Sequence, residues 1–257
     1  MNSCRDRKVK IEVVGLQKSY LLDDLLIEAL EDINIHACEE EFVSVIGPSG
    51  CGKSTLFNII CGLQVPDRGN IFLNSEEISG KTGMVGYMLQ KDLLLPWRKV
   101  IDNVILGLEL SVNDRKKNVE TAQALLPTFG LKSFENAYPA SLSGGMKQRA
   151  ALLRTYLLGR EVMLLDEPFG ALDAITRREL QDWLLKVWDR FKKTILFVTH
   201  DVEEAAYLSD RIYVMTSRPG KIKDEIAVRL SQPRNREMAE TNEFKNLVKT
   251  LLKLLEY

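Results

Sequence analysis

The sequence predicts an α/β fold whose core is a mostly parallel sheet. Short runs rich in β-branched and aromatic residues alternate with longer helical patterns, which is typical of βαβ units. Each short run is bounded by turn residues, so the runs are separate strands rather than parts of one long element. With 257 residues, of which 45% are hydrophobic and 28% charged, the chain can bury one large core or a core with a small satellite.

The predicted elements follow a regular order along most of the chain. Residues 9–14 and 30–37 are strand patterns without a long helix between them, which predicts a small N-terminal antiparallel β subdomain. The later apolar runs are expected to be buried strands of the main sheet, at residues 42–46, 85–89, 162–165 and 194–199. Helices are expected at about residues 52–62 and 177–191.

The stretch of about residues 91–158 interrupts this alternation and is predicted to be an inserted helical subdomain. Helical patterns cover residues 100–110 and 112–130, and another helix is expected to run through Met146 to residue 158. We find no internal repeat and no low-complexity linker, so residues 1–257 are interpreted as a single domain with this insertion.

The tail, about residues 238–257, predicts an amphipathic helix. Its apolar residues recur at helical spacing, and Lys245, Lys249 and Lys253 lie between them. A basic amphipathic helix can lie on a membrane surface. Alternatively, its apolar stripe packs on the domain itself, which is the interpretation that we favour.

Charge and cysteine content restrict the class of protein. A formal net charge of -1 argues against a protein that binds nucleic acid by bulk electrostatics. No apolar run approaches the roughly 18 residues that a membrane-spanning helix needs. Cys4, Cys38, Cys51 and Cys61 show no C-x-x-C spacing, and a disulfide at Cys51 would distort a glycine-rich loop, so we expect reduced thiols in a cytoplasmic protein.

A glycine-rich loop follows the predicted strand at residues 42–46 and opens the next helix. It has the pattern G-x-x-x-x-G-K-[ST], in the residues Gly47, Pro48, Ser49, Gly50, Cys51, Gly52, Lys53, Ser54 and Thr55. The glycines let the backbone curl and turn its N–H groups toward an anion, and the helix start adds a positive dipole end. Lys53 is placed for the β- and γ-phosphates of a nucleotide, and the Ser54 hydroxyl for Mg²⁺. The sequence therefore predicts a P-loop NTPase with a RecA-like core that binds ATP and Mg²⁺.

Polar side chains lie at the ends of three other predicted strands. Asp166 and Glu167 follow residues 162–165, Gln90 follows residues 85–89, and His200 follows residues 194–199. Ligands of open α/β sheets collect beyond the carboxyl ends of the strands, so we expect these side chains and the glycine-rich loop to form one site. Asp166 and the neutral amide of Gln90 suit contacts to Mg²⁺, and Glu167 suits polarising the attacking water as a general base.

A second glycine pair opens another helix, at Ser143, Gly144 and Gly145. A hydroxyl and backbone N–H groups at a helix start suit a phosphate, but the chain has only one lysine-bearing loop. From the residues alone, Ser143 either caps its own helix or completes a nucleotide site elsewhere.

These motifs and their order resemble the motif set of the ATP-binding subunits of ABC transporters, over nearly the whole chain. Residues 47–55 match the Walker A motif, and Gln90 matches the Q-loop. Residues 142–145 match the family signature. Residues 162–166 match Walker B, with Glu167 as the catalytic glutamate.

The resemblance also implies roles for residues that the motifs above leave open. Asp173 ends a match to the D-loop, His200 matches the switch histidine, and Tyr20 lies where the family has an aromatic residue that stacks on adenine. A buried core tyrosine is the alternative for Tyr20. The family implies a head-to-tail dimer in which the signature of one copy closes over ATP held by the other, so Ser143 becomes a contact to the partner's nucleotide.

The resemblance further implies partners and a location. The chain is expected to lie on the cytoplasmic face of the cell membrane as a peripheral subunit, with a separate multi-spanning permease and, indirectly, a solute-binding protein. No nucleic acid partner is expected. Trp97, which follows the Gln90 loop, is expected near the groove that receives the permease, or alternatively in the core.

A finer likeness is to the nitrate/sulfonate/taurine importer branch. Residues 95–98 and 102–104 carry it, and Met146 suits that branch although the wider family commonly has glutamine there. A second departure is the run of residues 39–41, three glutamates where a glycine turn usually precedes Glu-Phe. This puts the local hairpin geometry in doubt and leaves the site complete.

Two other classes compete with the importer subunit. A soluble ABC ATPase of DNA repair or translation usually carries a long coiled-coil insertion or two cassettes, and only about 50 residues separate Gln90 from Ser143. A P-loop kinase or GTPase needs neither the signature nor His200.

Overall fold

A computed structural model describes residues 7–110 and 114–255. The chain forms two compact units, one made of Met1–Val85 with Lys192–Tyr257 and the other of Gly86–Phe191. The strands of the described residues are β1 (Val9–Leu22), β2 (Leu25–Cys38), β3 (Phe42–Ile46), β4 (Arg68–Leu73), β5 (Glu76–Glu77), β6 (Gly86–Met88), β7 (Val162–Asp166), β8 (Thr194–Thr199), β9 (Arg211–Met215) and β10 (Ile222–Ala227).

The α-helices of the same residues are α1 (Lys53–Ile60), α2 (Val100–Val104), α3 (Leu106–Glu109), α4 (Arg115–Leu125), α5 (Gly144–Leu157), α6 (Ala174–Phe191), α7 (Val202–Leu208) and α8 (Asn242–Leu255). Short 3-10 turns lie at Pro139–Ser141 and Arg236–Glu240. No helix in the part of the chain that the structure describes is long and apolar enough to cross a membrane.

The first unit contains two layers of strands. One is a four-stranded antiparallel sheet in the order β2-β1-β4-β5, which confirms the predicted N-terminal β subdomain. In the other, β3 runs parallel to β8 and to β9, and β10 is antiparallel to β9. Every residue of β3, β8 and β9 is buried, as expected for parallel strands covered on both faces.

The second unit contains one parallel strand pair and most of the helices. Residue 86 of β6 pairs with Met163 of β7, and Met88 pairs with Leu165. Parallel pairing in both units confirms the predicted α/β class. The stretch of residues 91–158 lies in this unit, and its described residues (91–110 and 114–158) contain α2 to α5 and no strand.

Two predicted helices differ from those in the structure. The helix expected at residues 100–110 is two short helices, because Ile105 ends α2 and begins α3 with a ψ of -2°. The helix expected at residues 112–130 is shorter. It begins after Asp114, whose carboxylate accepts a bond from the Lys117 N–H, while residues 112 and 113 lie outside the described part.

The tail helix packs on the first unit, as favoured from the sequence. Phe244 and Leu251 are buried, and α8 contacts α7 and β9. It begins at Asn242 rather than at residue 238, because the Thr241 hydroxyl accepts a hydrogen bond from the Phe244 N–H and caps the helix there.

The turn between β2 and β3 contains the three glutamates that replace the usual glycine turn. Glu40 adopts a φ of 56°, the left-handed conformation that a glycine usually supplies. The next residue, Glu41, is buried, and its side chain accepts a hydrogen bond from the N–H of Cys38. The turn therefore forms without a glycine, and it joins strands of two different sheets rather than the two strands of a hairpin.

The expectation of reduced thiols is wrong at one position. Cys51 and Cys61 are free and buried, but Cys38 is disulfide-bonded. The fourth cysteine, Cys4, lies outside the described residues. A disulfide needs two Cβ atoms about 3.8 Å apart, a proximity in space that spacing along the chain does not reveal.

Candidate functional site

The glycine-rich loop joins β3 to α1 in a tightly curled conformation. Gly50 has a φ of 75° and Gly52 a φ of 105°, values that L side chains rarely adopt. A Cβ atom at Gly52 would lie 2.6 Å from Leu30 Cδ2 and 3.0 Å from the Ala29 carbonyl oxygen. Both the backbone angle and the lack of space therefore require glycine at position 52.

Lys53 is held inside this loop by the loop's own carbonyl groups. Its ammonium is buried and donates to Gly47 O at 2.7 Å and to Pro48 O at 3.0 Å. An ammonium has three N–H donors, and the remaining one has only a weak contact with Cys51 Sγ at 3.8 Å. The lysine is thus oriented with one donor available to a ligand oxygen.

The start of α1 suits an anion. Its N-cap residue, Gly52, provides no side-chain cap, and the first turn contains no acidic residue. The first N–H groups of a helix have no partner within it, and the helix dipole places partial positive charge at this end. Together with Lys53, this is the arrangement that holds nucleotide phosphates.

The thiol of Cys51 lies within the loop in its neutral form. Burial raises the pKa of Cys51 above the usual thiol value, and the nearby Lys53 ammonium opposes that shift only in part. The thiolate that a helix start would favour is therefore scarce at neutral pH.

Tyr20 and His200 belong to the same unit as the glycine-rich loop. Tyr20 is half-buried rather than in the core, and its hydroxyl donates to Gln64 Oε1 at 2.6 Å. The Lys18 ammonium lies 5.6 Å from the centroid of the Tyr20 ring. His200 directly follows the last residue of β8 and is exposed.

The second unit brings Gln90 and the strand-end carboxylates together. Gln90 Nε2 donates to Glu167 Oε2 at 3.1 Å, and the Tyr87 hydroxyl donates to Asp166 Oδ2 at 3.2 Å. Glu167 has a φ of 42°, a conformation that costs a non-glycine residue on the order of 1–3 kcal/mol. Its backbone oxygen accepts a bond from the Gly170 N–H at 3.1 Å, which helps to hold this turn.

The start of α5 is capped by the side chain of its N-cap residue, Ser143. Ser143 Oγ accepts a hydrogen bond from the Met146 N–H at 3.3 Å, while Ser143 and Gly144 stay exposed. A Cβ atom at Gly145 would lie 2.9 Å from Leu180 Cδ1 of α6, so this glycine permits close helix packing. The capping role considered for Ser143 from the sequence is thus present.

Asp173 plays a similar part before α6. Its Oδ1 accepts hydrogen bonds from the N–H groups of Thr176, at 3.0 Å, and Ile175, at 3.1 Å. These bonds stabilise the carboxylate and lower the pKa of Asp173. The residue is fully exposed, so its charge faces solvent.

The residues present are compatible with Mg²⁺. Within residues 7–110 and 114–255, no group of three or more His, Cys, Asp or Glu side chains is arranged to hold a metal ion. Mg²⁺ needs no such group, since it usually binds through substrate phosphates, waters and one or two protein ligands. Ser54 is exposed at the start of α1, and Asp166 is buried at the end of β7.

Sequence reasoning missed two side chains that form hydrogen bonds within the second unit. Tyr87 was part of a predicted strand, and only the pairing of β6 with β7 shows that its hydroxyl reaches Asp166. Asn103 is buried, and its amide bonds the backbone of Leu95, Arg98 and Lys99. Asn103 lies in residues 102–104, which carry the resemblance to one importer branch, and no other feature of the sequence indicated its importance.

The loop geometry around Lys53 places the protein among the P-loop nucleoside triphosphatases. Residues 30–170 match the ABC transporter family. The chain is 46% identical to an uncharacterized ABC transporter ATP-binding protein of Methanocaldococcus jannaschii, over 97% of this chain and 94% of that one. It is 42% identical to an aliphatic sulfonates import ATP-binding protein of Bacillus cereus, over 90% of each chain.

Two further comparisons agree with this assignment. A nitrate import ATP-binding protein of Synechocystis is 40% identical, over 88% of this chain and 86% of that one. A bacterial ABC transporter cassette solved as a dimer matches with a TM-score of 0.75 and 30% identity, over 86% of this chain and 100% of that one. The chain therefore belongs to the ABC transporter family, as an ATP-binding subunit with ATPase activity.

Proposed function

We propose that the chain is the ATP-hydrolysing subunit of an importer, in which ATP binding and hydrolysis by two copies drive solute uptake through a separate permease. The hydrolytic part of the proposal rests on one observation. Gln90 holds the carboxylate of Glu167 at the end of a buried strand, in a backbone conformation that a non-glycine residue adopts at a cost.

In this proposal each group of residues has a separate task. Residues 47–55 hold the phosphates, with Lys53 as the point charge, and Tyr20 stacks on the adenine. Glu167 accepts the proton of the attacking water, and His200 and Gln90 orient the reacting groups. Ser54, Gln90 and Asp166 are the residues that would hold Mg²⁺. When bound, that ion neutralises charge on the phosphates.

The dimer gives a task to the start of α5. Ser143, Gly144 and Gly145 of one copy, with Asp173, would face the nucleotide of the other copy. The exposure of Ser143, Gly144 and Asp173 supports this, since all three are accessible to a partner. A related cassette that forms a dimer supports it as well.

Relatives support the importer role and the class of cargo. Two proteins at 40–42% identity are named as import subunits for aliphatic sulfonates and for nitrate. We therefore propose a nitrate/sulfonate/taurine-type substrate, delivered by a solute-binding protein, with this subunit peripheral on the cytoplasmic face of the membrane. Trp97 is 72% exposed, which excludes the core alternative and leaves its ring available to the permease.

The test of hydrolysis is Glu167→Gln, which keeps the shape of the side chain and removes the base. ATP binding should persist, while the hydrolysis rate of the purified subunit should fall by about 10²–10⁴-fold. ATP should then accumulate in a dimer that size-exclusion chromatography separates from the monomer.

The matched control is Glu120→Gln, because Glu120 is exposed on α4 in the same unit. This control should hydrolyse ATP at the parental rate. Parental hydrolysis by the Glu167 variant would show that Glu167 is not the base.

A further inference from the structure

We propose that residues 216–221 form a second support of the phosphate loop, and that Arg218 is a positioning residue that holds the Gly50 carbonyl outward and adds positive charge beside the bound phosphates. This inference rests on the proposed binding of ATP by residues 47–55. It assigns a task to an arginine that lies outside all of the sequence motifs.

The first step concerns the carbonyl groups of the phosphate loop. For the N–H groups of the loop to face an anion, its carbonyl groups must turn away from that anion, and a hydrogen-bond donor on the outer side can hold a carbonyl in that orientation. Gly47 O and Pro48 O instead accept hydrogen bonds from the Lys53 ammonium, which lies inside the loop. For Gly50 O the donor is Arg218 Nη2, at 3.2 Å.

The second step concerns the loop that carries Arg218, which joins β9 to β10. Its two ends are tied together, because the Thr216 N–H donates to Lys221 O at 2.9 Å and the Lys221 N–H donates to Thr216 Oγ1 at 3.0 Å. The Thr216 hydroxyl in turn donates to Pro219 O at 3.0 Å. The loop is therefore held closed by its own hydrogen bonds.

The third step concerns how this loop is placed against the phosphate loop. The Gly220 N–H donates to Ala29 O at 3.0 Å, and the Glu31 N–H donates to Gly220 O at 2.9 Å, which fixes the loop to β2. A Cβ atom at Gly220 would lie 2.1 Å from Cys51 O. The backbone of this loop is thus packed directly against the backbone of the phosphate loop, and a side chain larger than that of glycine at position 220 would push the two loops apart.

The fourth step concerns charge. Arg218 is exposed, and the bond to Gly50 O requires one of the five N–H donors of its guanidinium. A fixed positive charge at the edge of a loop that binds a polyphosphate raises affinity for it, and salt screens this effect. Arg218 therefore contributes both to the shape of the loop and to its potential.

The test compares Arg218→Met with Lys223→Met in the full chain. Lys223 has the same charge and is exposed on β10, outside the proposed support, where its ammonium donates to Leu254 O at 2.6 Å. The probes are MgATP and inorganic tripolyphosphate, measured by calorimetry at low and high salt. We expect Arg218→Met to weaken both probes by about fivefold at low salt, with a smaller difference at high salt, and Lys223→Met to bind as the parent does.

Two further variants keep the proposal testable if Arg218→Met is poorly folded. Arg218→Lys keeps the charge and loses the guanidinium fork, so its affinity should lie between those of the parent and Arg218→Met. Gly220→Ala leaves the charge unchanged and separates the two loops, so it should weaken tripolyphosphate as well as MgATP.

Parental affinity for both probes in folded Arg218→Met would overturn the inference. Equal losses of affinity in Arg218→Met and Lys223→Met would also overturn it, because loss of any nearby surface charge would then explain the effect. A parent protein that binds neither probe would instead refute the proposed function.

Discussion

The starts of α1 and α5 are both glycine-rich, but only α5 has an N-cap side chain that accepts a hydrogen bond from one of its first N–H groups. Gly52 precedes α1 with a φ of 105° and gives the helix no side-chain cap. Ser143 precedes α5 in an extended conformation, with a φ of -64° and a ψ of 161°, and its hydroxyl accepts the Met146 N–H. The first N–H groups of α1 thus have no acceptor on the N-cap side chain, whereas one N–H group at the start of α5 already has such an acceptor.

This difference separates two kinds of phosphate contact. At the start of α1, which has no side-chain cap and has a buried lysine beside it, a bound phosphate supplies the acceptors that the first N–H groups lack. A capped start is stable alone and contributes an exposed hydroxyl and glycine backbone to whatever approaches it. We therefore expect changes at α1 to affect ATP binding by a single chain, and changes at α5 to affect hydrolysis by the dimer.

The largest effect that would test this comparison is expected for Lys53→Met. The substitution removes the buried ammonium and its bonds to Gly47 O and Pro48 O. Loss of a charged donor to the phosphates should weaken MgATP binding by about 10–100-fold, measured by calorimetry on the isolated subunit. Lys245→Met, on the exposed face of α8, is the control and should bind normally. ATP affinity within about twofold of the parent in Lys53→Met would contradict the role given to α1.

A smaller effect, of a different kind, is expected for Ser143→Ala. Loss of the cap should reduce the free energy of unfolding by about 1 kcal/mol, measured by urea denaturation. MgATP affinity of the single chain should stay within about twofold, while the hydrolysis rate should fall by about tenfold. Ser141→Ala is the control, because that exposed hydroxyl bonds only the nearby Tyr138 O. An affinity loss as large as that of Lys53→Met would remove the distinction between the two helix starts.

The smallest effect concerns the Cys51 thiol beside the start of α1. Burial raises its pKa, so below that pKa the thiol is mostly neutral and should react slowly with a maleimide at pH 7, and faster as the pH rises. MgATP should slow the reaction further, as followed by mass spectrometry of the Cys51 peptide. Cys61, a buried thiol with a pKa also raised by burial, is the control that MgATP should not protect. Equal protection of both cysteines would show that protection does not report on the phosphate loop.

Local patterns predicted several of the buried strands but missed β9, all of whose residues are buried. Residues 42–46 and 194–199 are strands with the predicted bounds, because fully buried parallel strands are short apolar runs between turn residues. The edge strand β10 was missed, since its sequence is mostly polar and exposed. The strand next to it, β9, begins with Arg211, whose burial depends on an ion pair with Glu41 at 2.9 Å. No pattern within residues 211–215 indicates that partner.

The same network explains a residue to which the sequence assigned no task. His36 Nε2 lies 2.8 Å from Arg211 Nη1, and His36 Nδ1 lies 3.1 Å from the Tyr213 hydroxyl. Burial raises the pKa of Tyr213 to about 12, so this hydroxyl stays neutral and serves as a hydrogen-bonding group. These contacts join residues about 175 positions apart, and they support the first unit rather than the phosphate loop.

The phosphate loop could be identified from the sequence alone because its requirements are local. Glycine conformations, a lysine and the start of a helix all lie within nine consecutive residues, and backbone sterics determine how they curl. Packing decided contacts between residues that lie far apart in the sequence: Gln90 to Glu167 across 77 positions in the second unit, and Arg218 to Gly50 across 168 positions in the first. Each of these side chains is compatible with many partners, and only the tertiary structure selects one, because a hydrogen bond requires its two atoms to lie within about 3 Å of each other.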